Sequence, residues 1–230
     1  YKRQLICWVL GLNFFYAYFK KGFFGWSDFL KINPNKKIPA ITDYDKNENP
    51  INVFESGAIL LYLAEKTGKF IPDSIDERRK LTQWLFWQVG NLGPMGGQHS
   101  HFWNYAPTSE KQSYAADRYA DEYKKCLEVL EYQLTGRDYI INDYSIADII
   151  SWPWVLIAKS MGISLDPYPN VIKWRQRLKE RDAVRRGVDL MRNKKKLEVW
   201  KLLYLKNLLH QMLPQNTQLR LRWMESKDLD

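Results

Sequence analysis

The chain has 230 residues, 45% of them hydrophobic, which is enough to form a buried core in one or two domains. Its two cysteines, Cys7 and Cys126, lack C-x-x-C and metal-ligand spacing. The sequence therefore indicates neither a disulfide framework nor a thiol redox pair, and it favours a cytosolic protein. The net charge is +9, but residues 193–230 carry eight Lys and Arg against four Asp and Glu. Because the excess is concentrated in this tail, we predict no nucleic-acid partner.

The first part of the chain has the pattern of an α/β structure. Turn residues separate short β-type runs at residues 14–19, 38–42 and 51–54. The apolar run at residues 5–19 is shorter than the roughly 20 residues that span a bilayer, and no cleavage site follows it. We therefore predict no membrane element there.

After a linker at residues 68–74 the pattern is helical. Its periodicity predicts four helices, at residues 75–89, 110–133, 145–161 and 169–180. We thus predict three parts, an α/β domain over 1–70, an all-α domain over 75–192 and a basic tail over 193–230. Residues 197–213 of that tail have the pattern of a basic amphipathic helix, suited to a membrane surface or to packing on the bundle.

Two short motifs in the α/β part suggest a ligand site. Pro39 in Ile38-Pro39 cannot donate to a strand ladder, so it leaves neighbouring backbone free for a ligand, through a cis or a trans peptide bond. Ser56 in Glu55-Ser56 is a favoured N-cap, and the start of the helix that follows attracts an anion. Glu55 suits an ammonium group, so the pair fits a zwitterionic amino-acid head. Alternatively, Pro39 only starts an edge strand, Ser56 is an ordinary cap and Glu55 is a solvated charge.

An aromatic and histidine cluster follows a glycine-rich break at residues 93–97. His101, Phe102 and Trp103 suit an acceptor pocket with a histidine for proton transfer. His99 and His101 have no Asp, Glu or Cys at ligand spacing, so we predict no metal. The tryptophans at 84, 87, 152 and 154 are interpreted as core residues.

A capping box marks the start of the third predicted helix. In Tyr144-Ser145-Ile146-Ala147-Asp148, the side chains of Ser145 and Asp148 can each accept a hydrogen bond from the other's backbone N–H. The role of this motif is in folding. Arg118 is on the preceding helix. Its guanidinium group can form a salt bridge either with Glu122, four residues later, or with the carboxylate of a ligand.

Together these motifs resemble the glutathione transferase family, in particular its bacterial Nu-class branch, which is similar to the fungal prion-forming nitrogen regulator. The resemblance covers residues 27–192 and is carried by several motifs in order: Ile38-Pro39, Glu55-Ser56, the Gln-Trp-Leu-Phe-Trp-Gln run at 83–88, Gly93-Pro94-Met95 and the capping box. It implies an incomplete thioredoxin-like α/β domain followed by an all-helical bundle, in a homodimer. It also implies a glutathione site formed by Lys37, Ile38, Pro39, Glu55, Ser56 and Arg118.

The start of the chain departs from the family pattern. Nu-class proteins carry a Thr-Pro-Asn-Gly loop that activates the sulfur, and Tyr1 aligns just after that loop, so we expect no catalytic side chain within this sequence. Phe24 stands near the place of a glutathione-contacting Gln. The resemblance implies a glutathione-dependent disulfide-bond reductase or transferase that uses glutathione as co-substrate and acts on a small disulfide or an electrophile. The alternative is a non-catalytic binding or regulatory protein of the same fold.

Overall fold

The computed structural model describes residues 26–107 and 113–192. Several expectations from the sequence lie outside these residues: the β-type run at 14–19, the apolar run at 5–19, the beginning of the helix predicted from 110 and the tail helix at 197–213.

The α/β part contains two helices and a β-hairpin. In chain order they are α1 (Trp26–Ile32), β1 (Ala40–Tyr44), β2 (Pro50–Phe54) and α2 (Ser56–Thr67). The strands pair antiparallel, with Ala40 opposite Phe54 and Tyr44 opposite Pro50. Both predicted strands in the described residues are therefore confirmed.

Helix α2 is anchored in the core and tied to the hairpin. Its buried residues are Ile59, Leu60, Leu63 and Ala64, which recur at helical spacing on one face. On the hairpin side, Tyr62 Oη donates a 2.6 Å hydrogen bond to Asp43 of β1, and Lys66 forms an ion pair with the same carboxylate. These contacts hold the strands against the helix that follows them.

The rest of the described chain is helical. Its elements are α3 (Ile75–Trp87), a π-helical turn (Gln88–Leu92), α4 (Gly93–Ser100), a second π-helical turn (His101–Tyr105), α5 (Ser113–Gln133), α6 (Ile146–Leu156), a 3-10 turn (Ala158–Met161), α7 (Pro169–Glu180) and α8 (Asp182–Arg192). All four predicted helices are present, although the third ends at Leu156. None of the helices in the described residues combines the length and hydrophobicity needed to cross a bilayer.

The expected glycine-rich break at residues 93–97 is wrong, because these residues form the first part of α4. The glycines permit close packing: a Cβ atom at Gly96 would lie 2.8 Å from the Trp154 ring and 3.2 Å from the Tyr123 ring. Glycine does not break the helix here, because at Gly96 it lets two aromatic rings contact the helix backbone.

The capping box is confirmed at the start of α6, the helix at the centre of the core. Asp148 Oδ2 accepts a 3.0 Å hydrogen bond from the N–H of Ser145. Asp148 Oδ1 accepts two more, from the Ile140 N–H at 3.0 Å and from Trp174 Nε1 at 2.8 Å. The buried carboxylate thus joins α6 to the loop before it and to α7. The fold is an α/β hairpin domain followed by an all-α bundle, as predicted.

Candidate functional site

The hairpin register brings the two sequence motifs to one place. Since Ala40 pairs with Phe54, the next residues outward, Pro39 and Glu55, lie at the same end of the hairpin. The Ile38-Pro39 peptide bond is cis. A ligand at this end can therefore meet the segment before β1 and the start of α2 together.

The segment before β1 has free backbone. Lys37 and Ile38 are exposed, and Ile38 is 43% accessible. The strand begins only at Ala40, and no residue in the described part of the chain accepts a hydrogen bond from the Ile38 N–H. An extended ligand backbone can pair with this edge in the manner of an added strand.

Glu55, rather than Ser56, occupies the N-cap of α2, which corrects the sequence prediction. Glu55 has φ 68° and ψ 128°, its side chain makes no capping hydrogen bond, and Ser56 is the first helical residue. A non-glycine residue with positive φ is strained, and such strain is concentrated at functional sites. The turn therefore takes place at residue 55, one position earlier than serine's capping preference predicts.

The first turn of α2 presents unpaired N–H groups. The first backbone hydrogen bond at the N-terminus of this helix is donated by the Ile59 N–H to the Glu55 carbonyl, at 2.9 Å. Among the described residues, nothing accepts from the N–H groups of Ser56, Gly57 or Ala58. These donors, the positive end of the helix dipole and the Ser56 hydroxyl form a site suited to a carboxylate.

Known proteins resemble both parts of this chain. The family model "Glutathione S-transferase, N-terminal domain" matches residues 13–65, and "Glutathione S-transferase, C-terminal domain" matches residues 95–182. The disulfide-bond oxidoreductase YfcG of Escherichia coli is 47% identical over 159 residues, which are 68% of this chain and 73% of that protein. This chain belongs to the glutathione S-transferase family.

Other members of the family agree in sequence and structure. The disulfide-bond oxidoreductase YghU of E. coli is 42% identical over 70% of this chain, which spans 58% of that longer relative. A glutathione transferase from Burkholderia graminis, crystallised with two glutathione molecules per subunit, has a TM-score of 0.73 and 36% identity, covering 82% of each chain. Ure2p in complex with glutathione has a TM-score of 0.71 and 27% identity, covering 81% of this chain and 91% of that one.

In this transferase-family chain, Arg118 lies on α5 next to the aromatic cluster. Its side chain is exposed, and the next residue, Tyr119, stacks on Phe102 with 5.7 Å between ring centroids. The i+4 salt bridge with Arg118 does not form, and Glu122 instead binds Lys125 Nζ at 2.9 Å. That ion pair, with a smaller contribution from the charge of Arg118, lowers the pKa of Glu122.

The second π-helical turn carries the residues predicted for an acceptor pocket. His101 is exposed and meets Phe102 edge to face at 5.2 Å. Trp103 is 51% accessible and covers Gly162, where a Cβ atom would lie 2.4 Å from its ring. The stack of Phe102 on Tyr119 thus places this π-helical turn against α5, next to Arg118. The contact of Trp103 places it against Gly162, which follows the 3-10 turn.

His99 has a different role from His101. It is buried, its Nε2 lies 2.8 Å from the Met161 carbonyl oxygen, and its ring stacks on Tyr123 at 6.1 Å. It therefore joins α4 to the 3-10 turn. The described residues contain no cluster of three or more histidine, cysteine or acidic side chains that could hold a metal ion.

The tryptophans predicted as core residues separate into two groups. Trp152 is buried, with its Nε1 donating to the Arg175 carbonyl at 2.9 Å. Trp84 and Trp87 meet edge to face at 5.0 Å and line an open cavity of about 450 Å³ together with Lys80. The core interpretation is confirmed for Trp152. Trp84, Trp87 and Trp154 are only half-buried, and the Trp154 ring packs against Gly96 of α4.

Proposed function

We propose that this chain binds glutathione at the Pro39 and Glu55 end of the hairpin and acts as a glutathione-dependent disulfide-bond reductase or transferase. The observation that carries the proposal is the hairpin register, since it sets the free backbone of Ile38 beside the unpaired N–H groups that begin α2. The family relationship to the YfcG and YghU oxidoreductases supports the same reaction class.

Each part of glutathione has a complementary group in this proposal. The carboxylate of the γ-glutamyl residue accepts hydrogen bonds from the N–H groups in the first turn of α2 and from the Ser56 hydroxyl. The ammonium group of the same γ-glutamyl residue pairs with Glu55. The cysteinyl backbone pairs with Ile38 before Pro39. Lys37 and Arg118 are cations available to the remaining carboxylate.

The proposed reaction uses the ligand's own sulfur. The glutathione thiolate attacks one sulfur of a disulfide, a mixed disulfide forms, and the other sulfur leaves as a thiolate. A second glutathione thiolate then attacks the mixed disulfide, which gives glutathione disulfide and the reduced product. We place the acceptor beside His101, Phe102 and Trp103, where aromatic rings supply an apolar surface.

We further propose a cytosolic homodimer. The absence of a disulfide-type cysteine pattern supports the compartment. The family and the exposed aromatic side chains on α3 and α5 support the dimer, since Phe86 and Tyr132 are 71% and 85% accessible. Sedimentation of the wild type and of Phe86→Glu tests it: we expect a dimer that the charge weakens, and a monomeric wild type would contradict the proposal.

Calorimetric titration with glutathione tests the site. We expect the wild type to bind and Ser56→Ala to bind about tenfold more weakly, because one hydrogen bond to a charged group is lost. Ser74→Ala is the matched control, since Ser74 caps α3 by accepting from the Glu77 N–H at 3.2 Å, outside the proposed site. Equal affinity for Ser56→Ala and wild type would rule out this carboxylate position, and a folded wild type that does not bind would refute the function.

A further inference from the structure

Asn33 is a buried polar residue in an otherwise exposed loop. It follows α1 and is 1% accessible, whereas residues 34–38 are all exposed. Its side-chain Nδ2 donates to the Lys37 carbonyl, and its Oδ1 accepts from the Asn35 N–H at 2.9 Å. Both ends of the amide are thus occupied by backbone of the same loop.

The backbone of Asn33 fixes the other side of this loop. Its N–H donates to the Phe29 carbonyl at 2.8 Å, and its carbonyl accepts from the Lys36 N–H at 3.1 Å. Phe29 is buried, so the loop is attached through α1 to the core. Lys36 has φ 54°, which returns the chain toward Asn33. One residue therefore organises the whole turn from α1 to β1.

The Lys37 carbonyl is the contact that links this turn to the proposed site. The Lys37 carbonyl and the Ile38 N–H belong to one planar trans peptide unit, in which they point in opposite directions. When Asn33 holds the carbonyl on the buried side, the Ile38 N–H is directed to the opposite side. There it has no hydrogen-bond acceptor among the described residues.

We propose that Asn33 is a positioning residue that orients the Ile38 N–H for the ligand backbone. This inference rests on the proposed glutathione site. Without the Asn33 amide, the Lys37 to Ile38 peptide plane can rotate, and a ligand must fix it at an entropic cost on binding. The Asn-Pro dipeptide at 33–34 was the available sequence signal, because an Asn before Pro favours a turn closed by its own side chain.

Two substitutions separate the contacts of Asn33. Asn33→Ala removes both side-chain hydrogen bonds. Asn33→Asp keeps an acceptor for the Asn35 N–H but loses the donor to the Lys37 carbonyl. Glutathione affinity is measured by calorimetry and the unfolding midpoint by circular dichroism, and Asn33→Asp is repeated at high salt, which screens repulsion between its carboxylate and the anionic ligand.

Asn170→Ala is the matched control. Asn170 Nδ2 donates to Glu131 at 2.7 Å at the start of α7, so this substitution also removes a structural asparagine side chain, but one in the helical bundle. We expect about tenfold weaker glutathione binding for Asn33→Ala and for Asn33→Asp, and wild-type affinity for Asn170→Ala.

The outcomes are distinct. Wild-type affinity in both Asn33 variants overturns the positioning role and leaves the glutathione site in place. The role is also overturned if Asn170→Ala weakens glutathione binding as much as the Asn33 variants do. It is overturned too if both Asn33 variants unfold while Asn170→Ala stays folded. Either result shows an effect on general stability. A folded wild type that binds no glutathione removes the proposed function, and the positioning role with it.

Discussion

Trp174 Nε1 donates a 2.8 Å hydrogen bond to Oδ1 of Asp148, across the interface between α7 and α6. Both side chains are fully buried. The carboxylate that closes the capping box is therefore also the acceptor that fixes a large core residue. We therefore expect this carboxylate to contribute more to stability than a cap at the protein surface.

Replacing Asp148 should accordingly cost more than replacing its capping partner. We expect Asp148→Ala to lower the free energy of unfolding by about 3 kcal/mol, since it leaves buried donors of Ile140 and Trp174 without an acceptor. Ser145→Ala should cost about 1 kcal/mol, as for an ordinary N-cap. Denaturant unfolding measures both, with exposed Asp143→Ala as a neutral control. Equal losses at 145 and 148 would contradict this ranking.

Asp148 should also make stability depend on pH. Burial raises its pKa from 3.8 to about 6, while hydrogen bonds from Ile140, Trp174 and Ser145 act in the opposite direction. The folded state then holds this proton more tightly than the unfolded state, so the stabilisation is fully present below about pH 4 and is lost as the pH rises toward 6.

This pH dependence can be isolated with Asp148→Asn, which does not titrate. We expect the free energy of unfolding of the wild type, relative to that of Asp148→Asn, to fall between about pH 4 and pH 6 and to stay constant above. Urea unfolding of both proteins at several pH values measures the difference. A difference that rises with pH would mean that the hydrogen bonds outweigh burial.

The backbone at Glu55 should store strain. Glycine relieves the cost of φ 68°, whereas alanine retains it, and neither keeps the carboxylate. We expect Glu55→Gly to be more stable than Glu55→Ala by about 1 kcal/mol. Both variants should bind glutathione more weakly than the wild type. Equal unfolding free energies would show that residue 55 carries no strain.

Gly162 should be intolerant of a side chain because Trp103 covers it. Gly162 and Gly136 have φ of 71° and 68°, but only a Cβ at 162 meets a ring, at 2.4 Å, while a Cβ at 136 meets nothing within 4 Å. Gly136→Ala should cost about 1 kcal/mol for its backbone alone. Gly162→Ala should cost more and should displace Trp103. Thermal unfolding of the two variants measures these costs. Equal costs would mean that the Trp103 ring does not cover Gly162 in solution.

Several elements were predictable because their cause is local. The strands in the hairpin, the linker and the capping box at Ser145 follow from turn residues, β-type runs and a helix start signal, all of which act within a few residues. The N-cap of α2 lies one residue before the position that serine's capping preference predicts, because the chain turns from strand to helix at Glu55. The helix over residues 93–97 could not be predicted, because the rings of Trp154 and Tyr123 that pack on Gly96 are distant from it in sequence.

The sequence alone determined the fold class and indicated which motifs suit a peptide-like anion, because periodicity, capping residues and proline act through neighbouring backbone. Only the tertiary structure decided which residues meet. The strand register brings Pro39 to Glu55, a buried amide joins Asn33 to the Lys37 carbonyl, and Trp174 reaches Asp148. Such contacts depend on strand pairing and packing between residues that are distant in sequence. A buried polar group without a hydrogen-bond partner costs free energy, so the folded arrangement is one in which each such group has a partner.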